Sequence, residues 1–146
     1  MHELVTTNFG AIRYSESDIY HFPSGLPAFE AETRFLLLER PESSPVLFLQ
    51  SLRTPELAFI TVPAAEIHPG YAIDPAPAEL DLLEAGDHAI APLAILTITE
   101  GSVSANLQAP VLLCPETHRG LQVLRPDSPY ASRHLLPVPG GNKSCS

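Results

Sequence analysis

The residues able to do chemistry are sparse and poorly grouped. Six histidines, His2, His21, His68, His88, His118 and His134, are scattered over 146 residues. Only Cys114 and His118 have the spacing of a ligand pair, and a tetrahedral zinc site needs a second pair that the sequence does not supply. No Gly-rich loop ends in Lys and Ser or Thr to cradle a phosphate, and no Gly-x-Ser-x-Gly elbow presents a nucleophile. The acid pairs Glu30/Glu32 and Asp81/Glu84 fall in a loop and on a helix, where a solvated surface is the ordinary role. Catalytic carboxylates would need a pocket that shifts their titration. Arg133-His134 has the donors to bind an anion, and equally the charge to close a barrel by pairing with a carboxylate. The expectation is a non-enzyme with no cofactor and no metal.

Side-chain amides are the more distinctive polar groups. In the stretch 103–113, Val103, Ala105, Leu107, Ala109 and Val111 alternate with Ser104, Asn106 and Gln108. A strand sends alternate side chains to opposite faces, so this pattern gives one apolar face and one face of hydroxyls and amides. Asn is a poor strand former and belongs in turns, so its place here asks for a reason. One reading leaves both amides as solvent-facing alternates of a half-buried sheet. The other has them satisfy buried backbone groups or form a recognition strip, because each offers two donors and an acceptor.

Mostly strands must position these groups. Residues 4–7 and 11–14 flank Asn8-Phe9-Gly10 as a hairpin. Runs at 19–22, 33–38, 46–51, 57–62, 89–99, 103–113, 121–124 and 130–136 follow, separated by Pro- and Gly-rich connections. Phe22, Pro23, Gly25 and Pro27 make a turn with two fixed φ angles and one position open to positive φ. The preferred reading of that turn is an architectural corner. One short helix is expected at 78–84, after Asp74-Pro75-Ala76-Pro77 and before Gly86. Many short strands with one helix imply a mainly β fold, a small antiparallel β-barrel-like domain.

Residues 1–137 are expected to form this single domain, with 138–146 a disordered tail. A chain this long buries about two-thirds of its unfolded surface and needs no staple. The two cysteines, Cys114 after Val-Leu-Leu and Cys145 near the end, make a poor disulfide framework, which points to a reducing cytoplasm. No apolar run approaches the roughly 20 residues of a membrane span, and the opening residues lack the pattern of a signal peptide. Eight basic residues face seventeen acidic ones, a net charge of −9. Nucleic-acid affinity comes largely from Lys and Arg neutralising phosphates, so direct binding to DNA or RNA is not expected, nor is an anionic membrane surface. A basic protein partner is favoured instead.

Several segments together resemble one family. Phe9-Gly10-Ala11-Ile12 and the run from Ile19 to Glu30, Ile-Tyr-His-Phe-Pro-Ser-Gly-Leu-Pro-Ala-Phe-Glu, are similar to the N-terminal signature of the flagellar assembly factor FliW. Phe48-Leu49-Gln50-Ser51 with Leu57-Ala58-Phe59, then Ala105 to Val111, then Gly120-Leu121-Gln122-Val123 with Tyr130 and Arg133-His134, follow in the family's order. Ala28 stands where the family usually has Gly, and Cys114-Pro115 replaces an Asn-containing exit from the central strand. The resemblance implies a β-barrel-like protein without catalysis that binds and antagonises the translational regulator CsrA, away from its RNA-contacting residues. It also implies binding to flagellin, which couples flagellin synthesis to assembly. On this reading the partner-binding candidates are Gln50, Ser51, Asn106, Gln108, Tyr130 and Arg133, and the free protein is a monomer. The alternative is a β-barrel binding a small polar or anionic ligand through Asn106, Gln108 and Arg133.

Overall fold

A computed structural model describes residues 1–137; the expected tail at 138–146 lies outside the described residues. The chain opens with a hairpin, β1 (His2–Thr6) against β2 (Gly10–Tyr14). Thr6 Oγ1 donates to the Gly10 carbonyl at 2.9 Å and accepts the Phe9 N–H at 2.9 Å, closing the loop from within. Gly10 supplies the positive φ, +69°, that this connection requires.

A seven-stranded barrel follows. Its strands are β3 (Ile19–His21), β4 (Arg34–Glu39), β5 (Leu47–Ser51), β6 (Ala58–Pro63), β7 (Ala91–Thr99), β8 (Ser102–Cys114) and β9 (Arg119–Gln122). Neighbours pair antiparallel around the ring, and a single parallel pair, His21 opposite Arg119, closes β9 onto β3. The expected mainly β barrel is the observed fold. Closure abolishes most of the strand edges that an open sheet would expose. β10 (His134–Leu136) adds to the outside of β8. The run 130–136 is thus a strand only in its last three residues, because 130–133 turns aside to serve a bend described below.

The barrel interior holds Tyr20, Phe22, Leu26, Phe35, Leu49, Leu93, Val111 and Leu113. Phe22 and Phe35 are wholly buried and meet edge to face at 5.1 Å. Each such ring stabilises the fold by about 2–3 kcal/mol of burial. The helix expected at 78–84 is α2 (Pro77–Leu83), which sets Leu83 against Leu112, Cys114 and Leu121 on the outer face of β8 and β9. A one-turn helix, α1 (Ala64–Ile67), leaves β6 directly after Pro63 and packs Ala64 against Val62, Ala94 and Leu107.

The turn after β3 is built around Phe22. Phe22 N–H donates to the Thr33 carbonyl at 2.8 Å, and Gly25 N–H donates back to the Phe22 carbonyl at 2.9 Å. Gly25 has φ +64°, and a Cβ there would lie 2.5 Å from the Glu30 carbonyl oxygen. Gly120 is required from the other side, since its Cβ would sit 2.3 Å from Phe22 Cζ. Pro23 and Pro27 stay exposed at the corner. Ala28 adopts φ +70°, so the position still takes the conformation that glycine adopts freely.

Candidate interaction surface at the bend of β8

Between β7 and β8 the register jumps. Leu93 faces Val111, yet Ile95 faces Asn106, so Ala94 alone opposes Leu107, Gln108, Ala109 and Pro110. Such an excess makes a large bulge, bends the strand and strips its backbone of ladder partners. Pro110 has no N–H, so seven backbone groups of these four residues need partners.

All seven find one. Leu107 N–H donates to the Ala131 carbonyl at 2.9 Å, and Tyr71 Oη–H donates to the Leu107 carbonyl at 2.8 Å. The N–H groups of Gln108 and Ala109 both donate to Asn106 Oδ1, at 3.0 and 3.1 Å. The Gln108 carbonyl accepts from Arg125 N–H at 2.7 Å, the Ala109 carbonyl from Gln122 Nε2 at 2.9 Å, and the Pro110 carbonyl from Val123 N–H at 3.1 Å. Asn106 therefore sits in the strand as a turn residue, because the strand turns there. Its acceptor serves its own backbone, the same local bonding that favours Asn in turns.

Outside the bend the surface is concave. Thr97, Thr99, Ser104, Asn106, Ser132 and Arg133 line one cavity of about 370 Å³. Asn106, Gln108, Ala109, Leu124, Arg125, Pro126 and Ser132 line an adjoining one of about 260 Å³. The structure thus brings Asn106, Gln108 and Arg133 to one surface. Tyr130 flanks it: its hydroxyl accepts the Ala72 N–H at 3.0 Å and its ring lies 4.3 Å from that of Tyr71. Arg125 clasps the other side, donating from both terminal nitrogens to Glu79 on α2. Hydrogen bonding to Arg125 holds the Glu79 carboxyl below the ordinary carboxylate range. Burial raises the Tyr71 hydroxyl above its ordinary value, with a smaller contribution from Tyr130, which keeps Tyr71 a donor to the Leu107 carbonyl.

Gln50 and Ser51 are elsewhere and inside. Both are 0% exposed. Gln50 Nε2 reaches the carbonyls of Ser51, Pro55 and Leu57 at 3.0–3.1 Å and that of Thr54 at 3.4 Å. Its Oε1 has no partner among the described residues. Ser51 Oγ donates to Glu32 and accepts the N–H groups of Arg53 and Thr54. These two residues hold the β5–β6 loop, so any part they take in recognition runs through that loop and not through direct contact. Glu32, which reads from sequence as a surface acid, is 9% exposed and also accepts Thr54 Oγ1 at 2.7 Å.

Sequence reasoning missed Tyr71, Gln122, Arg125 and Glu79 as partners of the bend. The available signal was Pro110, since a proline inside a central strand marks a bulge. Cys114 and His118 make no ligand pair: Cys114 is buried under α2, and the His118 ring stacks on Tyr20 at 4.2 Å. Among the described residues no three His, Cys, Asp or Glu converge as a metal site. Among them too, no helix is long and apolar enough to cross a membrane.

Comparison with known proteins decides the family. The family model described as "FliW protein" matches residues 3–136. The chain belongs to the FliW family. The flagellar assembly factor FliW of Moorella thermoacetica is 34% identical over 141 residues, covering 92% of this chain and 87% of that protein. FliW of Bacillus velezensis is 36% identical over 143 residues, with 96% and 97% covered. A crystal structure of the flagellar assembly factor FliW superposes with a TM-score of 0.85 at 32% identity, covering 95% of this chain and 99% of that one. The FliW barrel is therefore present from hairpin to β10, and the bend of β8 lies within the matched residues.

Proposed function

We propose that this chain is a cytoplasmic flagellar assembly factor that acts by binding proteins: it captures flagellin, and when flagellin is exported it binds and antagonises a CsrA-type translational regulator at a surface away from the regulator's RNA-contacting residues. The observation that carries this reading is the match to the FliW family across residues 3–136. Two features support it. The net charge of −9 suits a basic RNA-binding partner and would repel phosphates brought near it in a complex. The concave polar surface at Asn106, Gln108 and Arg133 offers amide, hydroxyl and guanidinium groups as donors and acceptors to a partner.

The experiment is calorimetric titration of the purified chain with CsrA and with flagellin, followed by competition between the two. A flagellin-leader RNA gel shift then reports antagonism. Saturable binding to both proteins, mutual exclusion, and release of RNA by this chain are expected. No binding to either, with thermal stabilisation by small polar or anionic compounds, would replace this reading with a ligand-binding barrel.

A further inference from the structure

The cavity lined by Ser104, Asn106 and Arg133 is rich in donors. Ser104 is 8% exposed, and its Oγ has no hydrogen-bond partner among the described residues. A polar side chain so buried ordinarily finds one. Asn106 has committed its acceptor, since Oδ1 takes the Gln108 and Ala109 N–H groups. Its Nδ2, without a partner among the described residues, can only donate. Arg133 carries five N–H donors and no acceptor, and among the described residues it makes neither an ion pair nor a hydrogen bond. The sequence left open that this arginine closes the barrel by pairing with a carboxylate. The ring closes instead at His21 and Arg119, which leaves Arg133 free for another group.

The chain has seventeen acidic residues, yet none lines this cavity. A guanidinium, an amide N–H and a buried hydroxyl, with no carboxylate beside them, suit an anionic oxygen. The fork of a guanidinium matches the two oxygens of a carboxylate.

The surroundings decide what carries that carboxylate. Thr97, Ser104 and Leu135 stand in one row across β7, β8 and β10, on the same face. Leu135 is 64% exposed. Leu124, which lines the adjoining cavity that shares Asn106 and Ser132, is 60% exposed. An arginine-centred polar patch bordered by exposed leucines has the make-up of a protein interface. A free anion is poorly served here. Thr97, Thr99, Ser132 and Arg133 are all exposed, so the cavity is too shallow to enclose a small molecule. The net charge of −9 also repels one.

We propose that Ser104, Asn106 and Arg133 form a socket for a carboxylate side chain of a partner protein, an Asp or Glu whose apolar neighbours rest on Leu124 and Leu135. The proposal rests on the protein-binding reading above and names the chemistry of its contact. The test is calorimetric titration of the full chain and its variants with flagellin and with CsrA, with melting temperatures measured in parallel. Arg133→Gln weakens binding to at least one of the two by about tenfold or more, as loss of a charge-assisted hydrogen bond does. It also flattens the salt dependence and leaves the melting temperature unchanged. Ser104→Ala weakens the same complex with a melting temperature at or above wild type, because it deletes a hydroxyl that no protein group satisfies. Asn106→Asp keeps the oxygen that holds the bend but sets a negative charge in the socket, and it weakens that complex as well. Arg133→Lys adds an amine to a chain whose natural lysine is Lys143 alone. A carbodiimide then joins that amine to the bound carboxylate as an amide, leaving as its urea, and the linked partner peptide identifies the acid.

Wild-type affinity of Arg133→Gln and Ser104→Ala for both proteins would overturn the socket and leave the protein-binding reading standing. A complex weakened by Arg133→Gln in which no partner carboxylate couples at position 133 would overturn the acidic occupant. Saturable thermal stabilisation by sodium glutarate or inorganic phosphate at constant ionic strength, lost in Arg133→Gln, would make the occupant a free anion and overturn the protein source. Binding of neither protein to the wild-type chain would overturn the protein-binding reading, and the socket with it.

Discussion

Asn106 is the sharpest place to test whether the β8 bend is structural or a recognition strip. Its Oδ1 accepts two backbone N–H groups, from Gln108 and Ala109, at 3.0 and 3.1 Å. Truncation by Asn106→Ala removes both bonds and leaves two half-buried donors. At about 1 kcal/mol for each bond, the expected loss is about 2 kcal/mol. For a chain of this size that is a fall of about 6 °C in melting temperature. Asn106→Asp keeps an acceptor oxygen in the same place and removes only the Nδ2 donors. It should stay within about 0.5 kcal/mol of wild type, since charged acceptors bond backbone N–H groups at least as well. The assay is urea denaturation at constant m, read as a shift in midpoint. An Asp variant as unstable as the Ala variant would refute the assignment to Oδ1, and an Ala variant as stable as wild type would refute the whole account of the bend. Binding is then measured on the Asp variant, whose fold is intact. Lost affinity for CsrA or flagellin there places the amide in recognition as well.

The remaining predictions concern the corner and the clasp. Ala28→Gly should stabilise the protein by about 0.5–1 kcal/mol, because a left-handed Ala costs about 1–2 kcal/mol and the added freedom of the unfolded Gly returns part of that; a midpoint below wild type would show that φ +70° carries no strain. Gly120→Ala should cost about 1–3 kcal/mol by forcing its Cβ into the Phe22 ring, and the cost should fall by at least half in a Phe22→Leu background. Equal costs in the two backgrounds would show that the ring is not the obstacle. Glu79→Gln should destabilise by about 1 kcal/mol at neutral pH, the clasp being only partly exposed. Since the folded carboxyl titrates below its unfolded value, that contribution is present above the ordinary carboxylate range and is lost as pH falls through the lowered folded value. The two proteins should therefore converge in acid, and a difference independent of pH would assign the effect to packing.

Local signals in the sequence were enough to find the elements. Alternation and turn residues place the hairpin, β3 to β9 and α2 within a residue or two of their observed bounds, while the run expected at 130–136 is a strand only from His134. Alternation in β8 survives from Ala105 to Ala109 and then stops, because from Ala109 to Cys114 both faces are buried, one inside the barrel and one under α2. α1 is too short to show a period. The amides split for a similar reason. Gln50 and Gln108 look alike in sequence, but only the fold closes the β5–β6 loop over one and leaves the other beside a cavity. Burial of Glu32 was equally hidden, since its partners Ser51 and Thr54 are about twenty residues away.

The seam between β3 and β9 bears on how the molecule is made. It joins His21 to Arg119, residues 98 apart (119 − 21), through one parallel pair, and β9 must also lie along β8. A growing chain can form its N-terminal hairpin and the β4–β5–β6 meander early, but it cannot shut the ring until β9 has left the ribosome. Until then β3 and β8 carry open edges. A topology of such long-range contacts folds slowly for its size, and the nascent intermediate is at its most adhesive just before β9 emerges.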